Sequence, residues 1–130
     1  MIMPGDDAVS PEKLRILIVE DEALIAMTLE GVLVDAGFNV VGMAGRLQTA
    51  LAFIERDICD AAVLDTNLAG VSAGPAALAL MARGIPFIVV SGYLPDQQPA
   101  AFSGAVRLQK PCSPDDLIRA LRSVLARLPA

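Results

Sequence analysis

The sequence predicts an α/β protein, a doubly wound parallel sheet of five strands with helices on both faces. Three observations predict it. Short apolar runs rich in β-branched residues recur along the chain, stretches with helical spacing of apolar residues separate them, and the runs are continuous rather than alternating. Continuous runs are what strands buried on both faces require, and regular alternation with helices implies a parallel sheet.

Each element can be justified in order. Residues 1–13 are polar, contain Pro4, Gly5 and Pro11, and read as a mobile N-terminal tail. "RILIV" at 15–19 is the first strand. Ile25, Leu29, Val32 and Ala36 then recur at helical spacing, and Gly37 is a natural stop. "FNVVGM" at 38–43 reads as the second strand, 46–56 as a helix, and "AAVLD" at 61–65 as a buried third strand ending in an acid. Residues 66–73 read as a loop, 74–83 as a helix of small residues closed by Gly84, and "PFIVVS" at 86–91 as the fourth strand. The segment 92–104 is rich in turn formers, so any fourth helix there is short or irregular. "AVRLQ" at 105–109 is the fifth strand. The last helix has the clearest start: Ser113 as N-cap, Pro114 at the first helical position and Asp116 closing a box-like cap, with Leu117, Leu121, Val124 and Leu128 as the apolar stripe.

A chain of 130 residues predicts one domain, over 14–129, with no output domain attached. No stretch approaches the ~20 apolar residues of a membrane span, and the N-terminus lacks a signal-peptide pattern, so a cytoplasmic protein without membrane insertion is expected. The net charge of −5 speaks against direct nucleic-acid binding, which relies on basic residues. Cys59 and Cys112 form neither a CxxC motif nor a disulfide framework and are expected to be reduced and buried. Histidine is absent, which excludes Ser-His-Asp and Cys-His catalysis, His-ligated zinc and phosphohistidine formation on this chain.

The three acids Glu20, Asp21 and Glu22 follow directly on the first strand. Helix capping explains Glu22 more easily than all three. Right-handed crossovers place every strand's carboxyl end on one edge, where open α/β sheets bind ligands. Asp21 follows strand one, Asp65 ends strand three, Ser91 ends strand four and Lys110 follows strand five. Glu20, Asp21 and Asp65 together suit a hard divalent cation, most often Mg²⁺. Lys110 would add a compact positive charge and Ser91 a hydroxyl for an oxyanion, a set suited to an incoming phosphoryl group. The plainer alternatives are a solvated helix start for Glu20 and Asp21, and turn roles for Lys110 and Ser91. Asp65 is harder to set aside, because an acid after "AAVL" must reach solvent or a ligand.

From Arg15 onward the chain resembles the receiver domain of bacterial two-component response regulators, through "ILIVEDE", "VLDTNL", "PFIVVSGY" and "LQKP". The resemblance implies a flavodoxin-like (βα)5 fold with strand order 2-1-3-4-5. It implies that Asp65 accepts a phosphoryl group from a sensor histidine kinase or phosphotransfer protein. By the same resemblance Asp21, Asp65 and the Asn67 main-chain carbonyl hold Mg²⁺, Glu20 acts through a water, Ser91 is the switch hydroxyl and Lys110 pairs with the phosphoryl group. Such a protein catalyses its own phosphorylation and dephosphorylation without separate substrate turnover. A stand-alone receiver would signal through an unknown downstream protein or act as a phosphate sink.

Two departures stand out. Receivers usually carry an aromatic three positions before the lysine, where this chain has Arg107, and an aromatic after Lys-Pro, where it has Cys112. Pro86, Phe87, Gly92 and Tyr93 match an atypical Pro-Phe-x-Phe-Ala-Thr-Gly-(Gly/Tyr) subgroup, from which Val89, Val90 and Ser91 depart. Tyr93, the only tyrosine, is a candidate replacement for the missing aromatic, and Asn67 and Tyr93 are placed to tune the lifetime of the phosphorylated state. Two other classes compete. A pseudo-receiver would bind partners without phosphorylation, as Arg107 allows, and a haloacid-dehalogenase-like phosphatase would need a second acid where the chain has Asn67.

Overall fold

The computed structural model describes residues 13–92, 102 and 104–126. The tail over 1–12, Tyr93, most of the turn-rich 92–104 segment with its expected short helix, and Leu128 lie outside the described residues. Five strands form one parallel sheet: β1 (Arg15–Val19), β2 (Asn39–Ala44), β3 (Ala61–Leu64), β6 (Phe87–Ser91) and β7 (Val106–Gln109), in the order β2-β1-β3-β6-β7. This is the 2-1-3-4-5 order of the flavodoxin-like fold. Four helices are described: α1 (Ala23–Asp35), α2 (Leu47–Glu55), α3 (Gly74–Ala82) and α4 (Pro114–Leu125).

The sheet separates two cores. On one face Leu17, Val19, Leu64 and Val89 pack with Ala50 and Ile54 of α2, with Ala76, Ala77 and Leu80 of α3, and with Phe102. On the other, Ile16, Ile18, Val63, Ile88 and Val90 pack with Leu29 and Leu33 of α1 and Leu117 and Leu121 of α4. Neighbouring residues in β1, β3 and β6 thus serve opposite cores, which is why these strands read as unbroken apolar runs. The helix α3 buries small residues (Gly74, Ala76 and Ala77), and its backbone runs close to that of α2.

Helix ends follow local chemistry. After α1, Phe38 N–H donates to Leu33 O and Gly37 N–H to Val34 O, both at 3.0 Å, with Gly37 at φ 96°. That is a Schellman stop, and Phe38 and Leu33 are both buried in the same core. Ser113 caps α4 by accepting from Asp116 N–H at 3.1 Å. The reciprocal half of a capping box is not formed: the Asp116 carboxylate instead pairs with Arg119 at 3.2 Å.

The expected loop over 66–73 contains a small hairpin. β4 (Asn67–Leu68) pairs antiparallel with β5 (Val71–Ser72) across the two-residue turn Ala69-Gly70. Both turn residues have positive φ, 53° and 91°, the primed geometry that suits a tight hairpin. Strands this short, and an alanine where glycine or asparagine is usual, leave little pattern to read. Cys59 is buried as expected, whereas Cys112 is half-buried beside the α1/α4 core.

At the end of the sheet away from the site-bearing edge, Asp60 clamps the start of β1. Its carboxylate accepts from the Arg15 main-chain N–H at 2.7 Å and from the guanidinium at 3.1 and 2.9 Å. The Arg15 hydrogen bond holds the Asp60 carboxyl below the ordinary range despite partial burial. A depressed folded value means that the ionised carboxylate stabilises the fold above the unfolded value, about 3.9, and that this contribution is lost as pH falls through the lower folded value. Asp60→Asn should therefore lower Tm at pH 7. The gap from wild type should close in acid below about pH 4, as read by thermal melts over a pH series.

Candidate functional site

The carboxyl ends of β1, β3, β6 and β7 share one edge, and the sheet ladder continues one step past three of them. Glu20 N–H donates to Ala44 O, Asp65 N–H to Val19 O and Lys110 N–H to Ser91 O, each at 2.9 Å. The backbones of Glu20, Asp65 and Lys110 are therefore fixed by the same hydrogen bonding that builds the sheet. Side chains distant in sequence meet as a result.

Lys110 Nζ donates to Glu20 Oε1 at 2.7 Å and to Asp65 Oδ2 at 3.0 Å. Glu20 and Asp65 are buried, at 4% and 7% exposure. The second oxygen of each acid is also used. Glu20 Oε2 accepts from Glu22 N–H at 3.0 Å, and Asp65 Oδ1 from Asn67 N–H at 3.3 Å. Burial pushes the Glu20 carboxyl above the ordinary range, against the pull of Lys110 and the Glu22 N–H. Burial alone would lower Lys110, but its bonds to Glu20 and Asp65 outweigh that and hold the ammonium above its usual value.

Asp21 is more accessible than Glu20 and Asp65, and its Oδ2 accepts from Ala69 N–H at the hairpin turn, at 3.1 Å. One oxygen each from Glu20, Asp21 and Asp65 lie within 4.8 Å of one another. One ammonium against three carboxylates leaves the cluster anionic, and hard anionic oxygens so arranged fit a divalent cation such as Mg²⁺. Glu22 contributes no such oxygen. It is the N-cap of α1 without a side-chain cap bond, so capping accounts for none of the three acids through its own carboxylate.

The other expected residues fall around this centre. Ser91 is buried at the end of β6, and its Oγ is 2.8 Å from Thr66 Oγ1. Asn67 turns its side chain into the hairpin, where Oδ1 accepts from Gly70 N–H at 2.7 Å. Arg107 lies opposite Val89 in β7 and donates through one terminal nitrogen to Phe102 O at 3.3 Å. Its buried Nε has no partner among the described residues. Tyr93 lies outside the described residues. Sequence reasoning missed Thr66 and the Ala69 N–H. A hydroxyl residue directly after the candidate acid was the available signal for Thr66, and none existed for a main-chain donor.

The fold and this edge define a class of protein, and comparison with known proteins agrees with it. The family described as the response regulator receiver domain matches residues 16–122, and the chain belongs to that family. The transcriptional regulatory protein PdtaR of Mycobacterium tuberculosis is 33% identical over 131 aligned positions, covering 98% of this chain and 64% of PdtaR. The chain thus spans less than two thirds of that relative's length. The solution structure of SdrG from Sphingomonas melonis Fr1 is 42% identical, covers 86% of this chain and 96% of that one, and superposes with a TM-score of 0.77. The receiver domain of sensor histidine kinase PA1611 from Pseudomonas aeruginosa PAO1, described with a magnesium ion in its active site cleft, is similar in fold. Its TM-score is 0.76 at 24% identity, with 87% of this chain and 98% of that one covered. Receivers in general work in two-component signalling, interact with histidine kinases or phosphotransfer proteins, and bind Mg²⁺ at an acidic site. Among the described residues, no helix is long and apolar enough to cross a membrane.

The geometry makes Lys110 the counter-ion that two buried acids depend on. Lys110→Met should lower stability by roughly 3 kcal/mol, the scale of breaking a buried ion pair from one side. Urea unfolding at neutral pH reads the difference directly.

Proposed function

We propose that this chain is a phosphoacceptor receiver in which Asp65 takes a phosphoryl group from the phosphohistidine of a sensor kinase or phosphotransfer protein. The observation that carries the reading is the Lys110 ammonium bridging Glu20 and Asp65 at an anionic strand edge. Burial also favours it, since a largely buried Asp65 carboxylate is paired and pointed rather than solvated.

In the proposed reaction an Asp65 carboxylate oxygen attacks phosphorus. A P–O bond forms as the P–N bond breaks, and the electron pair of that bond returns to the donor's imidazole ring. Lys110, already on Asp65 Oδ2, offsets charge on the phosphoryl oxygens, and Ser91 turns its hydroxyl to one of them. Asp21, Asp65 and the Asn67 main-chain carbonyl would hold Mg²⁺, with Glu20 acting through a water, and the bound ion would supply further neutralisation of phosphoryl charge. Hydrolysis resets the protein: water attacks phosphorus, releasing inorganic phosphate and the Asp65 carboxylate. Asn67 and Tyr93 are assigned to tuning that lifetime, and Arg107 to the place of the usual switch aromatic.

The same reading takes residues 14–129 as a cytoplasmic, stand-alone receiver that acts through a protein partner or as a phosphate sink, with 1–13 as a tail. The motif at Pro86, Phe87, Gly92 and Tyr93 supports membership of the atypical receiver subgroup.

Phosphorylated kinase or acetyl phosphate, with intact-mass detection, tests the reading. Wild type should gain one phosphoryl group in Mg²⁺, lose that capacity in EDTA, and lose it in Asp65→Asn. A wild type that stays unmodified under all conditions would instead make this a pseudo-receiver that binds its partner constitutively.

A further inference from the structure

Thr66 stands directly after Asp65, and Ser91 ends the neighbouring strand β6. Leu64 and Val89, two residues before each, both belong to the α2/α3 core. The Thr66 and Ser91 hydroxyls meet at the upper rim of that core, with Oγ1 and Oγ 2.8 Å apart and the residues only 3% and 2% exposed. Ser91 is Thr66's side-chain hydrogen-bond partner among the described residues.

We propose that Thr66 is a positioning residue, a latch that holds the Ser91 hydroxyl in its resting orientation and thereby opposes the phosphorylated state. The inference rests on the phosphoacceptor reading above, in which Ser91 turns toward the phosphoryl group on Asp65. A turn of that kind breaks the bond to Thr66. A hydroxyl as buried as Thr66's has no ready access to water, so the broken bond leaves it unsatisfied, which is costlier than the bond itself is stabilising. The resting state carries the satisfied pair and the phosphorylated state the orphan, so the pair biases the equilibrium toward rest. Thr66 touches neither phosphoryl group nor metal in this scheme. It acts through Ser91.

Removing the Thr66 hydroxyl should therefore strengthen binding of a phosphoryl mimic rather than weaken it. Thr66→Val nearly keeps the shape of the side chain, deprives resting Ser91 of this partner, and removes the orphaned hydroxyl from the phosphoryl-bound state. Beryllofluoride titrated calorimetrically into the full chain in excess Mg²⁺ should bind Thr66→Val about three- to tenfold more tightly than wild type, the range of one net hydrogen bond. Thr66→Ser, which keeps the hydroxyl, should match wild type. In a Ser91→Ala background Thr66→Val should change nothing, which a merely structural role for Thr66 would not produce. Thr66→Ala is read in the same way if the valine variant does not fold.

Equal or weaker binding by folded Thr66→Val or Thr66→Ala overturns the latch while leaving the phosphoacceptor reading intact. Failure of wild type itself to bind beryllofluoride overturns that reading and the latch with it.

Discussion

The constraint on which the rest of the site depends is the burial of two acids, Glu20 and Asp65, under a single ammonium. Both accept from the same Lys110 ammonium, which lies 90 residues from Glu20 and 45 from Asp65 in sequence. The consequence reaches beyond charge balance. With one oxygen of each acid held by Lys110, the other is aimed at a main-chain N–H, on Glu22 and on Asn67. Those two amides mark the entrances to α1 and to the β4/β5 hairpin. The electrostatic centre therefore also sets where two backbone elements begin.

The two faces of the sheet play unequal parts around that centre. The α1/α4 face is a conventional core of larger aliphatic side chains. The α2/α3 face holds more alanines, and the Thr66 and Ser91 hydroxyls and Arg107 gather on that side. Position 107, usually aromatic in receivers, here carries a charged side chain. The guanidinium spends one nitrogen on the Phe102 carbonyl and leaves Nε buried without a described partner.

Much of the fold was legible because the sheet is parallel and central. β1, β3 and β6 are buried on both faces, so each appears as an apolar run, and the change to polar residues after Val19, Leu64 and Val90 marks where the runs meet the edge. Glu20, Asp21, Asp65 and Lys110 could be grouped before any coordinates because strands of a parallel sheet send their carboxyl ends to one edge. What could not be read is what depends on third parties. Ala69 takes positive φ in a turn whose N–H meets Asp21, and the Asp116 carboxylate pairs with Arg119 one turn on, neither of which a local pattern announces.

The hairpin itself bears on how this segment can change over time. Between Asp65 and α3 the chain has a two-residue turn, a pair of matched positions on either side, and an Asn67 side chain that closes the turn onto Gly70. One additional residue there would shift the Asn67–Ser72 register and carry the Ala69 N–H away from the Asp21 oxygen. Variation in length is thus excluded where variation in side chain is tolerated: exposed Val71 is open to substitution, while the spacing around it behaves as a fixed measure between an acid and a helix.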